Sequence, residues 1–223
     1  MTSPNGTEPI ALQVNNLQVT YYTDAGRVKA VDGVDLTLKA GERLGLVGES
    51  GCGKSTLALA LMQMIKPPGR IEAGSAIIHT DMGQIDLLKL NEDEMRQARL
   101  SKISYIPQGA MNSLNPVMRI GAQMMDAMRD HIPRASEREL IERAERALES
   151  VELKRSVFRM YPHELSGGMK QRVCIAIGIL LSPKVIIADE PTSALDVVVQ
   201  RQVMETICRV QEKINAAVIL IGH

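Results

Sequence analysis

The apolar positions change their period several times along the chain. Residues 12–20 and 34–38 alternate apolar with polar side chains or carry β-branched ones, a period of two that predicts half-buried strands. The Asp- and Gly-containing stretch 24–27 lies between them and predicts a turn, hence an antiparallel pair. A short apolar strand at 43–47 then runs directly into Gly48-Glu49-Ser50-Gly51-Cys52-Gly53-Lys54-Ser55, and a helical pattern over 56–65 stops at Pro67-Pro68. Another apolar strand, 103–107, ends at Gln108. Ser136-Glu137-Arg138-Glu139 reads as a capping box ahead of an amphipathic helix from 140 to 151. The run 185–188 is apolar without alternation, the pattern of a strand buried on both faces of a parallel sheet, and it ends in Asp189-Glu190. A last apolar strand, 218–221, precedes His223.

Composition narrows this picture without deciding it. A chain of 223 residues, 45% hydrophobic and 23% charged, has ordinary globular usage and fits one domain or two closely joined lobes. The 26 basic and 26 acidic side chains cancel, so no global charge favours nucleic acid or an anionic membrane surface. The longest apolar runs, 175–181 and 216–221, fall well short of the roughly 20 residues of a membrane-spanning helix. The polar start 1–9 lacks the regions of a secretory signal, and three scattered cysteines give no disulfide framework, which predicts a reducing cytoplasm.

The chemistry begins at residues 48–55, which match the phosphate-cradling pattern GxxxxGK[ST], called Walker A, between a strand and a helix. Such a string arises by chance in about 1% of chains this long, so its strand–loop–helix context carries the argument. Glycines let successive backbone N–H groups converge on phosphate oxygens at the positive end of the helix. The residues expected around a nucleotide are therefore Gly48, Glu49, Ser50, Gly51, Cys52, Gly53, Lys54, Ser55 and Thr56. Lys54 supplies a point charge to the β- and γ-phosphates, Ser55 a Mg2+ ligand and Thr56 a donor to the α-phosphate. A turn that merely caps a helix explains the glycines but not the Lys-Ser pair. The Cys52 thiol beside Lys54 predicts that alkylation blocks nucleotide binding and that ATP protects, whereas Cys174 and Cys208 read as buried helix residues.

Two acids at a buried strand end are unusual. Strand alternation would point Asp189 and Glu190 in opposite directions, so that one holds the water shell of the metal and the other reaches an attacking water. Asp189 is assigned to the metal and Glu190 to general-base catalysis or positioning of that water.

Leu165-Ser166-Gly167-Gly168-Met169-Lys170-Gln171-Arg172 resembles the LSGGQ signature that separates ATP-binding cassette (ABC) ATPases from other P-loop proteins, with Met169 in place of the commoner Gln. Ser166, Gly167 and Gly168 begin a helix whose amides can bind phosphate; Ser166 also reads as its N-cap, and the two readings are compatible. The resemblance implies that this phosphate lies across a dimer, opposite the Walker A loop of a second subunit. It also implies roles for Gln108 as the Q-loop glutamine, in contact with Mg2+ or the water; for Ser193-Ala194-Leu195-Asp196 as a D-loop; and for His223 as the switch histidine at the γ-phosphate. An aromatic residue stacks on adenine in this family; Tyr21 or Tyr22 is placed for it, with spacing favouring Tyr21, and either ring could instead pack on its strand neighbours.

The segments Gly48-Glu49-Ser50-Gly51, Ser113-Leu114-Asn115-Pro116, Tyr161-Pro162-His163-Glu164-Leu165 and Ala194-Leu195-Asp196-Val197 look like those of dipeptide, oligopeptide and nickel permease ATPases. The likeness spans nearly the whole chain and departs at Gly109, where many relatives have Asp, and at Gly222, where Thr is usual. It implies an α/β fold: a P-loop NTPase core with a mostly parallel sheet, an antiparallel β subdomain and a helical lobe. Within a single nucleotide-binding domain over 1–223, about 10–87 and 161–223 would form the core and about 88–160 the lobe. The stretch 111–128, with five of the 13 methionines, is expected either to dock the membrane subunit or to act as adaptable core filler. Because family members continue past the switch histidine, the chain reads as truncated at its C-terminus.

The implied function is ATP hydrolysis, with Mg2+, that powers import of peptides or related small solutes. The implied partners are a second ABC ATPase subunit (a paralogue favoured, a homodimer possible), two transmembrane permease subunits and, indirectly, an extracytoplasmic solute-binding protein, with no nucleic acid. The chain would lie peripherally on the cytoplasmic face of a bacterial or archaeal inner membrane. A soluble ABC ATPase of DNA repair or translation is the alternative; it would normally carry a large insertion between Gln108 and the signature, where only a compact helical segment fits. An ATP-binding scaffold without turnover would normally lack Glu190 or His223.

Overall fold

The computed structural model describes residues 9–81, 83–109, 112–193 and 195–222. His223, Met111 and Ala194 therefore lie outside the described residues.

The period-two segments form one antiparallel sheet. Its strands are β1 (Ile10–Thr23), β2 (Gly26–Lys39), β4 (Gly69–Thr80) and β5 (Gly83–Asp86), in the order β2-β1-β4-β5. Both runs are longer than the sequence pattern alone suggests, because β1–β2 pairing continues from Leu17↔Val34 to Thr23↔Gly26. The apolar runs form a second, parallel sheet of β3 (Arg43–Val47), β8 (Ala217–Gly222), β7 (Val185–Asp189) and β6 (Ile103–Ile106), in the order β3-β8-β7-β6. Every residue of β7 is buried, as its unbroken apolar run requires. At the sheet edge, β3 leaves Val47 71% exposed.

Alternation along β7 divides the interior. Val185 and Ile187 face one core with Ile219 and Ile221 of β8, Leu57 and Leu61 of α1 (Lys54–Leu61) and the inner face of the antiparallel sheet. Ile186 and Ala188 face the other, with α3 (Ile120–Arg129), α4 (Glu137–Ser150), α5 (Gly167–Gly178) and α6 (Val197–Ile214). Between residues 88 and 160, β6 belongs to the parallel sheet and α2 (Glu92–Ala98) contributes Met95 and Ala98 to the α1 side, while α3 and α4 pack on the opposite side.

Boundaries differ where a backbone bond outweighs residue preference. Helix α1 begins two residues before the expected 56 and ends at Leu61 rather than 65. There Gln63 takes a left-handed φ of 49° and Met64 N–H returns to the Leu59 carbonyl at 2.8 Å, a C-terminal closure usually built on glycine. Helix α4 has the expected capping box, with Ser136 Oγ accepting from Glu139 N–H and Glu139 reaching back to Ser136 N–H. The methionines of 111–128 are partly resolved by burial: Met124 and Met128 are fully enclosed and act as core filler, and the exposed apolar side chain of this stretch is Val117, 80% accessible. Cys174 is buried as expected, but Cys208 is only half-buried.

Candidate functional site

Because β3, β8, β7 and β6 run parallel, their C-terminal ends share one edge of the sheet, where open α/β sheets place their ligands. The phosphate loop follows β3, Glu190 follows β7 and Gln108 follows β6. The four elements thus bring together groups that lie as far apart as residues 48 and 190 in the chain.

The loop is shaped by glycine. Gly51 and Gly53 have φ of 81° and 100°, and a Cβ on Gly53 would overlap the Ala30 carbonyl oxygen of β2. Lys54 opens α1 and is 9% exposed. Its ammonium donates to the carbonyls of Gly48 at 2.6 Å and Glu49 at 2.8 Å, which holds it within the curl of the loop. Cys52 Sγ lies 3.6 Å from the same ammonium. Ser55, on the first turn, is exposed, and the half-buried Thr56 follows it.

The two acids are arranged differently from the expectation. The strand ends at Asp189, and Glu190 turns away with φ of 45°, so a left-handed kink rather than strand alternation separates their directions. Three bonds hold the kink: Glu190 N–H donates to the Ile221 carbonyl at 3.0 Å, and Ser193 N–H and Oγ donate to the Glu190 carbonyl at 3.1 and 3.0 Å. Gln108 Nε2 donates to Glu190 Oε2 at 2.7 Å. Asp189 is 2% exposed, and the Tyr105 hydroxyl donates to its Oδ2 at 2.9 Å. Burial first, and then the Asp189 carboxylate, push the Tyr105 phenol well above its ordinary range, which keeps it a donor at neutral pH. Tyr105 has no sequence signal beyond its place in a short strand; only the pairing of β6 with β7 shows its contact.

These residues fit a magnesium nucleotide. Asp189 Oδ1 receives no hydrogen bond from a described residue, and Ser55 offers a hard oxygen at the helix start. Among the described residues no three His, Cys, Asp or Glu converge as a metal cage, and Mg2+ is usually held by one or two protein oxygens together with substrate phosphates.

The signature residues open α5. Ser166 N-caps α5, its Oγ accepting from Met169 N–H at 3.3 Å, and a Cβ on Gly168 would collide with Val199 of α6 at 2.5 Å. No hydrogen bond among the described residues links 166–168 to the Walker A loop. Tyr21 is half-buried, its ring lying against Gly69 of β4. Tyr22 is more open: its hydroxyl donates to Glu72 at 2.9 Å, and Arg27 and Arg70 lie 5.3 and 5.5 Å from its ring centre.

A glycine-shaped loop between a parallel strand and a helix, with a buried acid ending the next strand but one at the same edge of the sheet, defines a P-loop nucleotide-binding fold. The ABC transporter family profile matches residues 31–193, and the chain belongs to that family. It is 46% identical over 216 residues to the oligopeptide transport ATP-binding protein OppD of Salmonella typhimurium, covering 96% of this chain and 63% of that protein. It is 42% identical over 216 residues to the glutathione import ATP-binding protein GsiA of Salmonella choleraesuis, covering 95% of this chain and 34% of that protein. The chain thus spans less than two thirds of the length of these relatives. Among solved structures it is similar to the dimeric MJ0796, a bacterial ABC transporter cassette, with a TM-score of 0.79, 28% identity and coverage of 95% of this chain and 88% of that one. A post-hydrolysis dimer of the same cassette bound to ADP and Pi matches with a TM-score of 0.78 and 28% identity, at the same coverage of both chains.

Proposed function

We propose that this chain hydrolyses ATP to drive import of peptides or related small solutes by an ABC transporter, from the cytoplasmic face of a bacterial or archaeal inner membrane. The observation that carries the reading is the shared strand-end edge, where Glu190 is held by Gln108 beside the Walker A loop. The relatives named for oligopeptide transport and glutathione import support the solute class. Among the described residues no helix is long and apolar enough to cross a membrane, so solute passage falls to partners, two permease subunits fed by a solute-binding protein.

The Walker A amides and Lys54 bind the phosphates and stabilise charge on the γ-phosphoryl as it transfers. Ser55 and Asp189 would hold Mg2+, which would supply positive charge to the phosphates during transfer. Glu190, with Gln108 against it, orients a water and accepts its proton; the water oxygen bonds to the γ-phosphorus, the bond to the β-phosphate oxygen breaks, and ADP and phosphate leave. His223 would contact the γ-phosphate. The open side of the nucleotide is closed by Ser166, Gly167 and Gly168 of a second cassette, a paralogue in the favoured arrangement. The relation of this chain to dimeric cassettes supports that pairing. Adenine stacks on Tyr21 or Tyr22, Tyr21 being the ring that the sequence spacing favours.

Glu190→Gln tests the reading. It should lower steady-state ATP hydrolysis by about 100-fold or more, the range of a lost general base, while ATP-dependent dimers accumulate. Lys54→Ala should abolish both. Unchanged turnover in Glu190→Gln would refute the assignment.

A further inference from the structure

One side chain of β6 and one just beyond it reach the two acids at and just beyond the end of β7. Tyr105 pairs with Ile187, two positions before Asp189, so Tyr105, Ile187 and Asp189 share a face of the sheet, and the phenol extends diagonally to the carboxylate. Three residues further on, Gln108 reaches Glu190. The strand β6 and the residues that follow it thus contact both carboxylates.

The geometry points to Tyr105 as a positioning residue for Asp189, fixing that carboxylate for the metal through the 2.9 Å bond from its hydroxyl to Oδ2. The inference rests on the nucleotide and metal reading above. Rotation of a carboxylate about χ2 is broad and roughly two-fold, so an Asp without a fixed partner samples a range of oxygen positions. Among the described residues the Tyr105 hydroxyl is the only hydrogen-bond donor to the Asp189 side chain. It occupies Oδ2 and leaves Oδ1 as the acceptor that would serve the cation or its waters. Mg2+ demands near-ideal octahedral geometry, so a carboxylate left to rotate costs metal affinity even though its charge is unchanged.

The experiment is Tyr105→Phe, which keeps the ring and removes the hydroxyl, with the purified chain and the non-hydrolysable imido analogue of ATP. Binding is measured in EDTA, and then across titrations of Mg2+ and of Ca2+, whose coordination tolerates irregular geometry. The half-saturating Mg2+ concentration should rise about tenfold, the lower end for the loss of a group that orients a metal ligand. The shift for Ca2+ should be smaller, while binding in EDTA stays as in wild type; the thermal midpoint should fall somewhat, because the buried Asp189 loses its donor. An unchanged Mg2+ titration, or an equal loss of binding in EDTA, overturns the inference. Tyr105→Met, which fills similar space without hydroxyl or ring, should match the Phe variant; a shift in Met alone would make shape rather than the hydrogen bond responsible and also overturns it. Wild-type protein with no Mg2+-dependent binding would instead overturn the proposed function, and this inference with it.

Discussion

Lys54 and Asp189 are the buried polar groups on which the site turns, and both are tied down by neighbours of modest strength: two loop carbonyls for the one and a phenol for the other. Cys174, under the helical side of the sheet, is also buried. Burial pushes its thiol up to about 11 from an ordinary 9.0, with a small opposing effect from a bond to Ser113. A thiol whose folded value is raised gives stability that is fully present below the unfolded value and is lost as pH climbs through the folded one. Unfolding free energy should therefore fall between pH 9 and 11, and Cys174→Ala should show a flatter fall in urea titrations at pH 8 and 10.5. A slope equal to wild type would remove Cys174 as a cause. Cys52 is exposed in the phosphate loop and is expected to alkylate readily at neutral pH, with ATP protecting it. Alkylation that ATP leaves unaffected would mean that the loop does not enclose nucleotide.

Helix α5 illustrates how one residue serves an element and a site together. Ser166 caps it, so Ser166→Ala should cost about 1 kcal/mol in thermal unfolding. A cap alone predicts unchanged turnover per folded molecule; the proposed phosphate contact across a dimer predicts a further fall in ATP hydrolysis, and comparing the two measurements separates these roles. Strands β7 and β3 show the value and the reach of apolar pattern. The unbroken run of β7 matches its burial on both faces, whereas β3, with a similar run, alternates between exposed and half-buried because it stands at the sheet edge. Period-two and unbroken runs identify strands, but the number of neighbours a strand acquires is a property of the sheet.

The whole molecule is two cores on opposite faces of one parallel sheet, and side chains that look alike in sequence fall to very different fates between them. Met124, on α3, is enclosed in the core that α4 and α5 share, while Val117, seven residues earlier, stands open. Met124→Ala should destabilise by about 2–5 kcal/mol in denaturant unfolding, the range for truncating a buried large side chain. Val117→Ser should stay within about 0.5 kcal/mol and affect only partner docking, if that surface is used. Equal effects from the two would contradict the burial described for Met124.

Most of the fold and the motif residues were legible because they rest on local rules. Periodicity marks strands and helices, Ser136 and Ser166 announce their helices, and the glycine spacing with Lys54-Ser55 describes a phosphate loop from backbone geometry alone. The β3–α1 connection and the strand ending at Asp189 are where those rules place them, within a residue or two. What tertiary structure alone decided is long-range. The kink at Glu190 depends on the Ile221 carbonyl, and the Tyr105 bond to Asp189 on the register of β6 against β7. Such contacts join residues far apart in the chain, and the free energy that selects them arises only once the sheet has assembled, so no local pattern carries their signal.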